Sequence, residues 1–331
     1  LKLFGPTKAA AKLESSKAYA KAFMERHGIP TARFEVFTDL QGALKRLPEL
    51  MRIWGGVAVK PSGLTAGKGV VCCKTSAEAE ETLRTLMEER RYGASGETVV
   101  LEELLEGKEC SVLTITDGTS IFSFPLAQDH KRLLDGDLGP NTGGVGAYTP
   151  LPFVREGVEK EVAAKTLEGL KREGVPYCGF LYIGLMLTKE GPKVLEYNCR
   201  LGDPEAQVLL PLLESDLAES LVAALEGKLS EKPPRFSKKA SCGVVLCSGG
   251  YPDEFAKGVP IEGLDAPAEE NLFIFCGGVG PGPVTAGGRV LTVVAVAEDL
   301  KEATARAYRK AETIRFENRH YRKDIAGAAL K

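Results

Sequence analysis

An apolar run, "VAVK" from Val57, and a second, "GVVCC" from Gly69, enclose a segment that holds Gly63, Gly67, Lys68 and Gly69. Two strand-like runs this close, joined by glycines, read as a β-hairpin. That spacing excludes a P-loop, G-x-x-x-x-G-K-[ST], which links a strand to a helix. Only three residues separate Gly63 from Gly67, and Gly69 stands where the Ser or Thr of that motif belongs. Backbone N–H groups of the turn can still cover phosphates, because glycine permits close approach. The residues alone leave a long flexible hairpin equally open.

Composition narrows the setting. The 331 residues are 44% hydrophobic and 27% charged, an ordinary globular balance with room for two or three domains. A formal net charge of −2 offers no basic field for nucleic acid. No apolar run reaches the ~18 residues of a membrane span, and no signal peptide is visible. The eight cysteines lack the C-x-x-C spacing of a zinc site, and none of the three histidines is an evident partner for a catalytic thiol. They read as reduced, partly buried thiols of a cytoplasmic protein. The chain begins with Leu1 rather than Met, which reads as a fragment or a chain with its beginning removed.

Along the chain, "TKAAAKLESSKAYAKAFMERHGIP" predicts two short helices stopped at Gly28 and Pro30. "ARFEVF" predicts a strand, "DLQGALKRLPEL" a poor helix, and "SAEAEETLRTLMEERRYG" a helix with Ser76 as N-cap. Strands follow at "TVVLEELL", "CSVLTITDG" and "SIFSFPLA". "QDHKRLLDGDLGPNTGGVGAYTPLP" has no periodicity and reads as a long functional loop. After a clear helix, "YCGFLYIGLMLTKEGPKVLEYNCR" reads as a hairpin. "KLSEKPPRFSK" is the expected linker to a small α+β piece.

Three constellations carry chemistry. Lys60, on an apolar strand, can neutralise phosphates. In "VLEELLEGKE", backbone groups near Glu103 and Leu105 would read an adenine edge, and Glu109 would accept from ribose hydroxyls; a strand entering solvent is the plainer reading. In "VLEYNCR", Glu196 and Asn198 point to one side of a strand, and two hard oxygens suit Mg²⁺ or Mn²⁺. Arg200 continues that face toward a phosphoryl group. Asp129, Lys131, Arg132, Asn141, Thr142 and Gly143 make the long loop a substrate loop.

The order of these pieces resembles the ATP-grasp superfamily. "SGLTAGKGV", "EELLEGKECS", "QDHKRLLDGDLGPNTGGVGAY", "EYNCRLGDPE", "GGRVL" and "YRKDI" narrow the resemblance to the phosphoribosylamine–glycine ligases, over nearly the whole chain. The resemblance implies an α+β ATP-grasp fold over 1–230, a lid subdomain at about 57–124, and a carboxy-terminal α+β domain at 236–331. It implies ATP-dependent joining of glycine to 5-phosphoribosylamine through a glycyl phosphate, in purine biosynthesis. Lys17 and Lys60 would touch ATP, Gly63, Gly67, Lys68 and Gly69 would form the lid, and Glu102, Glu103, Leu105 and Glu109 would hold adenosine. Glu196 and Asn198 would bind the metal, and Arg200 would stabilise the transition state. Asp203 and the substrate loop would meet glycine or the ribosyl amine. The expected partners are these small molecules, with the chain a monomer or fused to other purine-pathway domains, without nucleic acid or membrane.

The chain departs from the family pattern in three ways. The sequence starts after the place of the family's amino-terminal α/β domain, as a fragment would, glycine stands at Gly184 where many ATP-grasp enzymes place an acid (this ligase family also has glycine), and Val145 replaces a usual methionine. Two other readings stay open: an ATP-grasp ligase of different substrate, and an ATP-binding module without catalysis.

Overall fold

The computed structural model describes residues 2–65, 69–155, 157–265 and 267–330. Two short helices, α1 (Lys12–Ser15) and α2 (Lys17–Arg26), open the chain as expected. Ser16 separates them, and its hydroxyl accepts from the Tyr19 N–H at 3.2 Å, an N-cap for α2. β1 (Phe34–Phe37) follows, then α3 (Leu40–Trp54). The poor helix predicted here is a full one of 15 residues with Pro48 inside. Asp39 caps its start, Gly55 ends it at φ 72°, and the stripe Ala43, Leu47 and Leu50 is buried. Burial of that stripe outweighs the single hydrogen bond that proline removes.

β2 (Val57–Pro61) and β3 (Val71–Cys73) form the expected hairpin. α4 (Ser76–Met87) is capped by Thr75, one residue before the expected Ser76, in a reciprocal capping box with Glu78. β4 (Val99–Glu103) completes a sheet of order β1-β4-β2-β3. Helices α3 and α4 cover it over a core that includes Leu47, Val59, Leu83 and Leu101. β5 (Lys108–Thr116) and β6 (Ile121–Ser123) leave this sheet and join another. The lid bounds expected at about 57 and 124 therefore differ from the sheet, which takes in Phe34–Phe37 and ends at Glu103.

The segment read as one long loop holds four short strands: β7 (Gln128–Asp129), β8 (Arg132–Leu134), β9 (Leu138–Asn141) and β10 (Gly146–Thr149). Strands of two to four residues are too short to leave a periodic signal. After α5 (Val158–Arg172), β11 (Gly179–Thr188) and β12 (Gly191–Asn198) form the predicted hairpin in a sheet of order β12-β11-β5-β6. α6 (Glu205–Leu209) and α7 (Leu217–Leu225) lead to the segment expected as a linker. That segment is pinned: the Ser237 N–H donates to the Leu212 carbonyl at 2.7 Å, and Phe236 packs on the core.

The last piece contains β13 (Ala240–Cys247), β14 (Leu272–Cys276), a small pair β15 (Val279–Gly280) and β16 (Val284–Thr285), then β17 (Arg289–Ala297) and α8 (Leu300–Thr313). Its sheet has the order β14-β17-β13-β10-β7. Strands 128–129 and 146–149 thus pair into the carboxy-terminal sheet, and this pairing crosses the boundary expected at 230–236.

Candidate functional site

The antiparallel register of β2 and β4 sets Ala58 opposite Glu102 and Lys60 opposite Val100. Lys60 and Glu102 are then diagonal neighbours on one face. Lys60 Nζ lies 2.9 Å from Glu102 Oε2, and Lys21 Nζ, from α2, lies 2.8 Å from the same oxygen. Lys21 also donates to Thr31 Oγ1 at 2.6 Å. All three charged groups are buried, Glu102 at 1% exposure, so this strand end does not enter solvent. Among the described residues Glu102 Oε1 is buried without a hydrogen-bond partner, so the cluster faces inward with one acceptor unspent. Burial pulls the Lys21 pKa down to about 8 against the attraction of Glu102.

Lys17 starts α2 and leans on the turn after β2. Its N–H donates to the Ser62 carbonyl at 2.8 Å, and its Nζ donates to the Gly63 carbonyl at 3.4 Å. Burial lowers the Lys17 pKa, opposed by the charge of Glu196. Gly63 is required for space: a Cβ there would stand 2.6 Å from Ser95 Cα. A Cβ on Gly69 would stand 2.5 Å from Pro61 Cγ. Gly67 and Lys68 lie outside the described residues.

The Glu103 carboxylate is committed to Arg33, accepting from its N–H at 3.0 Å and its Nε–H at 2.6 Å. Leu105 sits half-buried in the connection from β4 to β5. Glu109, at the start of β5, pairs with Lys131 Nζ at 2.9 Å.

On β12, Tyr197 is buried and hydrogen-bonded to Thr166, which turns Glu196 and Asn198 to the other face. Burial alone would raise the Glu196 pKa. Lys131, Lys60 and Lys17 outweigh it and hold the carboxylate below its ordinary range. One ionised carboxylate therefore sits in the field of three lysines from three separate segments. Burial likewise opposes the charge of Lys131, but Glu109 and Asp129 raise its pKa well above an ordinary lysine's. Asp129 is buried, and that burial raises its pKa against the attraction of Lys131.

Arg200 is more exposed. Its Nε lies 3.3 Å from Glu14 Oε1, and its Nη2 reaches Asn198 Oδ1 at 3.5 Å. Asp203 accepts from Gln207 Nε2 at 3.0 Å and meets Arg289. Thr142 donates through its N–H and hydroxyl to the Lys131 carbonyl, at 2.8 and 2.9 Å. Gly143 donates its N–H to the Tyr251 hydroxyl at 3.0 Å. Arg132 and Asn141 pair in the β8–β9 hairpin. They line a cleft of about 470 Å³ with Val71 and Cys72 of the first sheet.

Sequence reasoning did not single out Lys21, Glu14, Glu205 or Arg289 as site residues. Glu205 is buried and accepts from Ser111 Oγ at 2.9 Å. Lys21 had a signal, a lysine on the inner face of an amphipathic helix. Arg289 stands in "GGRVL", a stretch that carries the family resemblance but whose residues alone mark no role.

Among the described residues, no group of three or more His, Cys, Asp or Glu is placed to hold a metal. Glu196 and Asn198 still fit Mg²⁺ or Mn²⁺ as a pair of hard oxygens, provided that phosphates supply further ligands and offset the three lysines. No helix among those residues is long and apolar enough to cross a membrane. All eight cysteines are free thiols.

Two family profiles match the chain. The phosphoribosylglycinamide synthetase ATP-grasp (A) domain covers residues 15–206, and the C domain of the same synthetase covers 241–328. The trifunctional purine biosynthetic protein adenosine-3 of Gallus gallus is 48% identical over all of this chain, which spans 34% of that protein. The phosphoribosylamine–glycine ligase of Vibrio vulnificus (strain YJ016) is 44% identical over all of this chain and 78% of its own length. The crystal structure of phosphoribosylamine–glycine ligase from Thermotoga maritima superposes with a TM-score of 0.84 at 39% identity, covering 98% of this chain and 81% of that one. The chain thus spans about a third of the trifunctional relatives and about four fifths of the monofunctional ones.

Proposed function

Since this chain belongs to the phosphoribosylglycinamide synthetase family and has its ATP-grasp fold, we propose that it joins glycine to 5-phosphoribosylamine at the expense of ATP. The observation that carries the reading is a cluster of paired charges, Lys60 on Glu102 at 2.9 Å and Lys131 on Glu109 at 2.9 Å, with the charges of Lys17, Lys60 and Lys131 holding Glu196 ionised. Three cations around one carboxylate suit a polyphosphate that arrives with its metal.

Lys17 and Lys60 neutralise the phosphates. Glu102 Oε1, a buried acceptor without a partner among the described residues, receives the exocyclic amine of adenine. Backbone groups at Glu103 and Leu105 read the rest of that edge, and Glu109 accepts from the ribose. The sheet 34–103 with α3 and α4 acts as the lid, with Gly63 and Gly69 toward the nucleotide. Glu196 and Asn198 hold Mg²⁺ or Mn²⁺, which supplies charge neutralisation to the phosphates when bound.

In the first step a carboxylate oxygen of glycine attacks the terminal phosphorus of ATP, and ADP leaves. In the second the ribosyl amine attacks the glycyl carbonyl, loses a proton, and expels phosphate. The protein mainly positions the reactants and stabilises the moving charge. Arg200 faces the phosphoryl group, while Asp203, Asp129, Lys131, Thr142 and Gly143 hold the acceptors. Arg132 and Asn141 contribute from the cleft that they line. The relatives' names support two settings, a single ligase or one part of a fused purine-pathway polypeptide; the cytoplasm is the compartment we propose for either.

Measurement of ADP release with ATP, glycine and fresh phosphoribosylamine, each omitted in turn, tests the reading. Release that requires all three is expected; release with another acid and amine, but not with these, would overturn it. Glu196→Gln should lose at least a hundredfold of the Mg²⁺-dependent rate while melting normally, since the carboxylate lines the site rather than the core.

A further inference from the structure

We infer that Arg289 is the positioning residue through which the carboxy-terminal sheet holds Asp203 and the Gly143–Gly144 turn together for the amino-acid substrate, an inference that rests on the ligase reading above. Arg289 opens β17, at a bulge in its pairing with β13. Its Nη1 donates to the carbonyls of Gly143 at 2.9 Å, Gly144 at 3.2 Å and Asp203 at 2.8 Å. Nη1 and Nη2 also lie 3.2 Å from Asp203 Oδ1 and Oδ2. One guanidinium therefore fastens two site loops from a third element. The loop of Thr142 and Lys131 is on one side, and the loop that follows Glu196 and Asn198 is on the other.

The turn is shaped around this contact. A Cβ on Gly143 would stand 3.0 Å from Arg289 Cζ, and Gly144 has φ 105° with Pro204 Cδ only 2.5 Å from where its Cβ would be. A planar fork can serve three carbonyls and a carboxylate together, which a lysine ammonium cannot. The pair is also open, at 25% and 56% side-chain exposure. Ion pairs this exposed add little to stability, so the clamp acts mainly on the geometry of the site.

The test measures kcat and KM for glycine and for ATP, with melting temperatures, in the full chain. The variants are Arg289→Lys, Arg289→Met, Asp203→Asn and the double Arg289→Met/Asp203→Asn. Both Arg289 variants should raise the glycine KM at least tenfold and leave the ATP KM within twofold, with no rescue by lysine. The double variant should be no worse than the worse single one, because the two residues act as a unit. An unchanged glycine KM, rescue by lysine, or multiplying effects would overturn the inference. If Arg289→Met does not fold, Arg289→Lys and Asp203→Asn decide it by the same glycine KM. A wild-type chain without glycine-dependent ADP release is the failure of the ligase reading, and the inference falls with it. A glycine-dependent wild type with unaffected Arg289 variants is the failure of the inference alone.

Discussion

Lys60 and Glu102 meet 2.9 Å apart across the β2–β4 pair, and both are buried. Lys21 occupies the same carboxylate oxygen, so two buried ammonium groups depend on one negative charge. Removing that charge leaves both uncompensated, whereas removing Lys60 leaves the simple pair of Lys21 and Glu102. Breaking a buried pair from one side costs on the order of 3–5 kcal/mol. Glu102→Gln should therefore lose at least that much in urea unfolding, and Lys60→Met clearly less. Equal losses would show that the shared oxygen is not the centre of the cluster.

Lys21 adds a pH dependence. Its pKa is about 8 in the folded protein, against 10.5 for an ordinary lysine. Below about pH 8 both states carry the proton, and the penalty of the buried ammonium is fully present. Between about 8 and 10.5 the unfolded chain binds more protons than the folded one, so this group's contribution to stability rises with pH. The slope is at most about 1.4 kcal/mol per unit. Lys21→Met lacks this term. The stability of the wild type relative to Lys21→Met should climb across that window in denaturant titrations; a flat difference would contradict the assignment.

Gly63 offers a steric test of the turn. A Cβ there meets Ser95 Cα at 2.6 Å and Ser95 Cβ at 2.7 Å, and overpacking of this kind costs roughly 1–3 kcal/mol. Gly63→Ala should raise the ATP KM severalfold, because Lys17 Nζ donates to this residue's carbonyl. Adding Ser95→Gly should recover part of the loss. No recovery would mean that the alanine acts elsewhere than at this contact.

The sequence exposed the parts of the fold that repeat. Lys60 with the glycine turn, Glu102 and Glu103 at a strand end, and Glu196 with Asn198 two apart all belong to strands, and the structure sets them on β2, on its antiparallel neighbour β4 and on β12 of a second sheet. The partners of these residues were hidden because they come from far along the chain. Lys21 reaches Glu102 from α2, and Arg289 reaches Asp203 across 86 positions. Nothing local marks such contacts. The strands at 128–129 and 132–134 escaped notice because each is too brief to alternate. Arg132 and Asn141, read with Lys131 as one loop, pair in a hairpin and line a cleft with Val71 and Cys72.

The most direct measurement follows an oxygen atom. Glycine labelled with ¹⁸O in its carboxylate is turned over with ATP and phosphoribosylamine, and the inorganic phosphate is examined by mass spectrometry. A glycyl phosphate formed in this site hands one carboxylate oxygen to phosphorus, so each phosphate released should carry one label. Unlabelled phosphate alongside normal product would contradict the acyl-phosphate route, and with it the account of Lys17 and Lys60 as the groups that neutralise the transferred phosphate.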